Sequence, residues 1–387
     1  MKELHLSRRI LLGPGPSEVD QRVLTALSAP LVGHLDPEFL KVMDDIQTLL
    51  RYVFETQNKL TIPISGTGSA GMEAAFVNLV EPGDRVLVCV NGVFGQRMSD
   101  IVGRCGGDLK RVEAEWGCSF DPDQIHQTLK ETHPKILALV QAETSTGVLT
   151  SLPRIRQVLD DFPETLLLVD CVTSLGGHSV GVDQHGVDFA YSGTQKCLGC
   201  PPGLAPITLS ENAVRVLRKR TSKVQSWYLD LTMVEKYWGE ERTYHHTAPV
   251  SMNFALREAL RLIEEEGLEK RWGRHQLNHR ALVAGVEAMG LEMLCRPEDR
   301  LWSLNTVKIP QGVSDATVRS KLLEEFGIEI GGGLGPLKNK IWRVGLMGSS
   351  SSRNNVLLFL SALEWILSGQ GFRLKRGAAV DAALSMY

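Results

Sequence analysis

Hydrophobic positions along the chain switch between helical and strand-like spacing. After Gly13-Pro-Gly-Pro-Ser17, which suits neither a helix nor a central strand and reads as an ordered loop or arm, Asp36-Pro37 opens a helical pattern. Phe39, Val42, Met43, Ile46, Leu49, Leu50 and Val53 recur there at helical intervals. From residue 60 to about 208, short apolar runs alternate with helix-length stretches. The runs predict strands at Leu60–Ile64, Arg85–Val90, Ile136–Gln141, Leu166–Val169, Phe189–Tyr191 and Ala205–Leu209. Leu166-Leu-Leu-Val169 shows no in/out alternation, so helices cover both faces of such a strand, as in a parallel sheet. Ligands bind beyond the carboxyl ends of strands in sheets of that kind.

The pattern changes near residue 250. A helix is expected over Ser251–Glu266 with Gly267 as its stop, then a strand at Ser303–Ile309 and a helix at Asp315–Phe326. A glycine-rich turn (Gly331–Gly335), a strand (Ile341–Val344) and a helix (Asn354–Ser368) follow. Gly348-Ser-Ser-Ser-Ser352 reads as a turn that caps the last helix. The expected organisation is an N-terminal arm (1–19), a large α/β domain (20–266) and a smaller α+β domain (267–387).

Composition narrows the function. A length of 387 residues is long for one core. The content is 43% hydrophobic and 22% charged, ordinary for a soluble protein. A net charge of −3 without a basic run argues against nucleic acid or an anionic membrane as partner and leaves small-molecule chemistry. No apolar run approaches the roughly 18 residues of a membrane span. The N-terminus carries no apolar leader core, and the seven cysteines are scattered, which together point to a reducing cytoplasm.

Gly66-Thr-Gly68-Ser-Ala-Gly71 matches the dinucleotide fingerprint, but the next strand ends Cys89-Val90-Asn91 without the carboxylate that binds a ribose. The same glycines, with the Thr67 and Ser69 hydroxyls, suit a single phosphate at a helix N-terminus. Two strand ends then carry the chemistry. Leu166-Leu-Leu-Val-Asp170 ends in a carboxylate, and Tyr191-Ser-Gly-Thr-Gln-Lys196 ends in a lysine after a small-residue turn. An amine for an imine link and a carboxylate beside a pyridine nitrogen are what pyridoxal 5′-phosphate requires. Taken singly, the Asp reads as a helix cap and the Lys as a surface charge; their succession behind a phosphate loop changes that. Cys197-Leu-Gly-Cys200 lacks a second pair for zinc, and His245 and His246 are adjacent rather than four apart, so no metal is expected.

In this order, Gly13-Pro-Gly-Pro-Ser17, Ile64-Ser-Gly-Thr-Gly68, Asn91-Gly-Val-Phe-Gly-Gln-Arg97, Glu143-Thr-Ser-Thr-Gly147, Val169–Gly177, Ser192–Lys196, Tyr244-His-His-Thr247 and Arg343-Val-Gly-Leu346 resemble the alanine–glyoxylate/serine–pyruvate aminotransferases. These are class V enzymes of the fold type I, pyridoxal-phosphate-dependent group. The resemblance implies a large, mostly parallel sheet between helices, a smaller α+β domain, and a homodimer with shared active sites. It makes Lys196 the Schiff-base lysine, Asp170 the partner of the pyridine nitrogen, and Phe94 and Val172 the residues on the two ring faces. Thr67, Gly68, Ser69 and Gln195 fall at the phosphate, Ser69 where some relatives carry His. Thr144 falls near the ring hydroxyl, and Tyr244 and Thr247 at the phosphate of a neighbouring subunit. Arg343 would clamp the substrate carboxylate, with Gly15, His34 and Tyr244 also at the substrate.

Cysteine desulfurases share the fold, but the only small-domain cysteine, Cys295, precedes a Pro-Glu-Asp turn and the Gly331–Gly335 loop has none. A non-enzymatic phosphate binder has no need of Lys196, Asp170 and Arg343 together. The amino donor is the open point. Relatives acting on ureidoglycine resemble this chain around Gln195–Gly199 and Tyr237–Gly239, yet place amides where it has His34 and Tyr244. Without those amides, alanine or serine is the expected donor and glyoxylate the acceptor, with (S)-ureidoglycine as the alternative.

Overall fold

The chain builds a seven-stranded sheet from β1 (Leu60–Ser65), β2 (Arg85–Val90), β3 (Asp108–Glu113), β4 (Ile136–Val140), β5 (Leu166–Asp170), β6 (Phe189–Tyr191) and β7 (Leu204–Leu209). The structure is a computed structural model and describes residue 3 and residues 5–387. Met1, Lys2 and Leu4, in the expected arm, lie outside the described residues. The spatial order is β1-β7-β6-β5-β4-β2-β3. Neighbours from β3 to β6 run parallel, whereas β7 is antiparallel to both β6 and β1, so the sheet is mostly parallel.

Every residue of β4, β5, β6 and β7 is buried, which is why their sequences are almost wholly apolar, Asp170 and Thr208 being the polar exceptions. The edge strand β3 was not expected. Its sequence Asp-Leu-Lys-Arg-Val-Glu buries only Val112, and charge on an edge strand hinders stray pairing while erasing the apolar signal.

Helices cover the sheet. Helix α1 (Pro37–Phe54) starts as expected, Asp36 accepting from the Glu38 amide with proline in the first turn. Helices α2 (Gly68–Leu79) and α3 (Val93–Arg104) follow β1 and β2 and open at the carboxyl ends of those strands. Helix α4 (Val250–Glu266) ends at Gly267, and α5 (Leu268–Ala288) begins at once. The apolar pattern did not predict α5, because its inner face buries Arg271, His275, Asn278 and His279. Arg271 donates to the carbonyls of Gly176 (2.9 Å) and Cys197 (2.7 Å), and His275 accepts from the Gly348 amide (3.1 Å).

A second apolar cluster joins Leu12 to Ala281–Ala383, around a three-stranded antiparallel sheet of β8 (Leu304–Lys308), β9 (Gly331–Gly332) and β10 (Ile341–Gly345). Helices Asp315–Phe326, Arg353–Gly369 and Ala378–Leu384 pack on it. Gly331 and Gly332, expected in a turn, instead pair with Arg343 and Trp342; a Cβ on Gly331 would stand 2.6 Å from the Pro14 ring, so only glycine admits the arm there. The arm itself pairs Ile10–Leu11 with Ile328–Glu329 and then crosses to the large sheet, where Ser17 bonds the carbonyls of Gln195 (2.9 Å) and Lys196 (2.7 Å). Among the described residues no helix is long and apolar enough to cross a membrane.

Leu167 is the second residue of β5 and has no exposed surface. Leu167→Ala should therefore lower unfolding stability by about 2–5 kcal/mol in denaturant titration, through lost burial and the cavity left behind.

Candidate active site

Strand β5 delivers Asp170 as its last residue, and the parallel pairing of β5 with β6 sets Tyr191 directly beside it. The Asp170 carboxylate is 2% exposed and accepts from the Val172 amide and the Tyr191 hydroxyl, each at 2.8 Å. Burial pushes its pKa up to about 7, with these two donors acting in the opposite direction. Burial also drives the Tyr191 hydroxyl well above its ordinary value, aided by the Asp170 charge, so it stays a donor.

Past β6 the turn Ser192-Gly-Thr-Gln195 brings up Lys196. Its amine donates to the Pro14 carbonyl. A Cβ on Gly15 would stand 2.7 Å from Lys196 Cδ, and Gly15 has φ +104°, so both space and backbone call for glycine. Burial lowers the Lys196 pKa to about 8, and the Arg343 charge adds to that effect.

Arg343 reaches the same place from β10. Nε donates to the Gly332 carbonyl (2.7 Å) and Nη1 to the Thr144 carbonyl (3.2 Å). Among the described residues it forms no ion pair, and burial lowers its pKa to about 10. A guanidinium bound only by carbonyls keeps its full charge and spare donors for an incoming carboxylate.

The phosphate-loop residues converge on these groups. A Cβ on Gly68 would lie 3.4 Å from Val172 and 3.5 Å from Gly193, so the start of α2 abuts the turns after β5 and β6. Thr67 occupies the N-cap without using its side chain as a cap. Ser69 accepts from Arg97 (3.2 Å), whose guanidinium lies 4.9 Å above the Phe94 ring. The Gln195 side-chain oxygen is buried without a partner, and the Thr144 and Thr173 hydroxyls bond at 2.6 Å.

His34 and Tyr244 form a separate pair, their ring centroids 5.4 Å apart, and Thr247 is exposed nearby in sequence. Among the described residues no hydrogen bond ties these three to Lys196. The two adjacent histidines face each other through Nδ1 (2.8 Å), and His246 also bonds Ser65 (2.6 Å). A cavity of about 700 Å³ lined by Lys59, Leu60, Leu209 and Arg218 opens at the far ends of β1 and β7 and contains none of the candidate residues.

Tyr191, Thr173, Glu143 and the Pro14 carbonyl belong to the site and carried no role in the sequence reading. Strand register and the path of the arm decide their positions, and neither leaves a local signal. Cys295, whose thiol donates to the Thr146 carbonyl (3.1 Å), is buried and its pKa is pushed up to about 12. It is not a reactive thiolate.

A family model described as aminotransferase class-V matches residues 11–343. The crystal structure of an alanine–glyoxylate aminotransferase from Nostoc sp. is 50% identical, superposes with TM-score 0.93, and is covered over 97% of its length by 95% of this chain. The ureidoglycine–glyoxylate aminotransferase structure from Bacillus subtilis is 42% identical with TM-score 0.97, both chains covered in full at 100%. The alanine–glyoxylate aminotransferase of Callithrix jacchus is 40% identical over 94% of this chain and 89% of its own.

The raised Asp170 pKa has a signature in the ligand-stripped protein. The folded state keeps a proton that the unfolded chain has released between the ordinary carboxylate pKa of 3.8 and about 7. Stability contributed by this group therefore falls as pH rises through that window and is level above it. Asp170→Asn should remove that component, so the variant's melting temperature should exceed that of the wild type more at pH 7.5 than at pH 4.5, as thermal scans would show.

Proposed function

The chain belongs to the class-V aminotransferases, and from that premise we propose that it transfers the amino group of alanine or serine to glyoxylate, using pyridoxal 5′-phosphate held on Lys196. The observation that carries the reading is the convergence of Lys196, Asp170 and Arg343 from β6, β5 and β10. The residues fit such a cofactor. The buried Lys196 amine lies beside a glycine that leaves it space, the buried Asp170 carboxylate accepts from the Val172 amide next to Gly68, and Gln195 has a buried, unpartnered Oε1 beside Gly193. The bound cofactor supplies an electron sink for the pair left when the substrate loses its α-proton.

The side chains do the rest. Asp170 would keep the ring nitrogen protonated, and a cation facing it would bring its raised pKa back down. Tyr191 and the Val172 amide hold that carboxylate in orientation. With a pKa lowered to about 8, Lys196 would be available in part as a free amine near neutrality, and its Nζ would take up and return the substrate proton. Thr67, Gly68, Ser69 and Gln195 would bind the phosphate at the α2 N-terminus, where backbone N–H groups and the helix dipole favour an anion. Phe94 and Val172 would enclose the ring, with Thr144 at its hydroxyl and Gly15 at the substrate. Arg343 would bind the substrate carboxylate.

A second copy of the chain completes this reading. Tyr244 (59% exposed), Trp227 (63%) and Leu31 (71%) present apolar surface, and with Thr247 they would pack against a partner and reach its phosphate site. The proposed units are an arm over 1–19, a cofactor domain over 20–266 and a small domain over 267–387, in keeping with the two larger apolar clusters, which a small third one bridges. The seven cysteines, all free, fit a reducing compartment such as the cytoplasm.

Ureidoglycine is the second reading, favoured by the full-length likeness to the Bacillus subtilis protein. Against it, the paired rings of His34 and Tyr244 offer no amide, and an unpaired ureido group in a closed pocket costs roughly 1–3 kcal/mol.

Two measurements test the proposal. Borohydride reduction of the cofactor-loaded protein followed by peptide mapping should label Lys196; a label on another lysine would displace the assignment. With glyoxylate fixed, kcat/KM should be higher for alanine or serine than for ureidoglycine, and the reverse order would make ureidoglycine the donor.

A further inference from the structure

Helix α3 starts without a cap of its own. Its N-cap residue is Gly92, which has no side chain to satisfy the free amides of the first turn. Those amides are met from fifty residues away in sequence. Val93 N–H donates to Ser145 Oγ (2.9 Å, |i−j| = 52) and Phe94 N–H to Glu143 Oε2 (3.2 Å, |i−j| = 49). Ser145 in turn donates to Glu143 Oε1 through its hydroxyl (2.5 Å) and its amide (3.0 Å). Glu143 and Ser145 are both fully buried, in the hairpin that pairs Ala142–Glu143 with Val148–Leu149.

The approach is too close for any residue but glycine. A Cβ on Gly92 would overlap the Glu143 carboxyl group and stand 2.5 Å from Ser145 Oγ. Gly92 has φ −179°, ordinary extended backbone, so the need here is space. One turn on, a Cβ on Gly95 would lie 3.0 Å from the Cys89 carbonyl and the Val90 Cα, which presses the same turn onto β2.

The hairpin serves both sides of the site. Glu143 holds the turn that carries Phe94, and the next residue, Thr144, offers its carbonyl to Arg343 (3.2 Å) and its hydroxyl to Thr173 (2.6 Å). The Glu143 charge also acts at a distance, favouring the charged form of Arg343 and opposing that of Asp170. A purely structural hairpin would have no reason to place a carboxylate, opposed by burial, where neutral acceptors suffice.

We propose that Glu143 is a positioning residue: by capping α3 from a distant hairpin it sets the Phe94 ring, and through the Thr144 carbonyl it registers that ring with the Arg343 guanidinium. The inference rests on pyridoxal phosphate being the ligand of this site. A carboxylate at a helix N-terminus is favoured by the dipole, more strongly in a dry interior than at a surface, and it holds two ends of the site in one rigid unit.

The test uses the full chain with and without pyridoxal phosphate. Glu143→Gln keeps the shape and an acceptor but removes the charge. Expected are a far-ultraviolet spectrum like that of the wild type, amide exchange at Val93 and Phe94 faster by roughly fivefold to tenfold, a pyridoxal phosphate Kd raised about tenfold, and a displaced visible absorption band. Unchanged exchange and unchanged Kd would overturn the proposal, as would exchange quickened throughout the protein with the Kd and band intact. If Glu143→Gln does not fold, Ser145→Ala decides: it removes the Val93 acceptor and the hydroxyl that donates to Glu143 while keeping the carboxylate, and should quicken exchange at Val93 and weaken cofactor binding, and an unaltered amide and Kd would overturn the proposal equally. A wild-type protein that never attaches pyridoxal phosphate to Lys196 would sink the cofactor reading instead, while amide exchange would still report whether Glu143 caps the helix.

Discussion

Asp170 is a carboxylate at the end of a strand whose every residue is buried, so its ionisation works against lost hydration. That constraint shapes its neighbours. Register supplies the Tyr191 hydroxyl, the chain's next turn supplies the Val172 amide, and the proposed cationic ring would supply the missing charge. Lys196 meets the opposite demand, a buried amine beside the Arg343 cation, and its pKa moves down as that of Asp170 moves up. Burial thus shifts both groups toward neutrality in the free protein.

Such a site must be held together from distant parts of the chain. Three connectors do this. The arm runs from its pairing with Ile328–Glu329 to the Lys196 backbone through Ser17, and its Pro14 carbonyl receives the lysine amine. Helix α5 braces the turns after Asp170 and Lys196 through Arg271 and the turn after β10 through His275. The Glu143–Ser145 hairpin joins α3 to Arg343. Each connector places polar side chains in the interior, and Ser17, Arg271, His275, Glu143 and Ser145 all find partners there, which gives fixed geometry where apolar packing alone would tolerate sliding.

The family is legible in the order of its motifs, whereas the proposed donor choice would turn on a few residues. His34, Tyr244 and His246 pack ring against ring around the buried Tyr237, with Tyr244 exposed, away from the hydrogen bonds of their own Lys196. A specificity pocket built in that way would depend on a second subunit to be complete.

The sequence by itself determined the buried strands, the caps at Asp36 and Ser352, and the succession of Asp170 and Lys196 at strand ends, because burial and capping are local properties written in residue type and spacing. It left α5 unseen, since polar side chains on its inner face hide the apolar period, and β3 unseen, since an edge strand needs few apolar residues. Only the tertiary structure decided that Tyr191 stands beside Asp170, that Gly331 and Gly332 form a strand against Arg343, and that Glu143 caps a helix 49 residues back. Those facts depend on register and long-range contact, where the partner of each group is chosen by how whole elements pack.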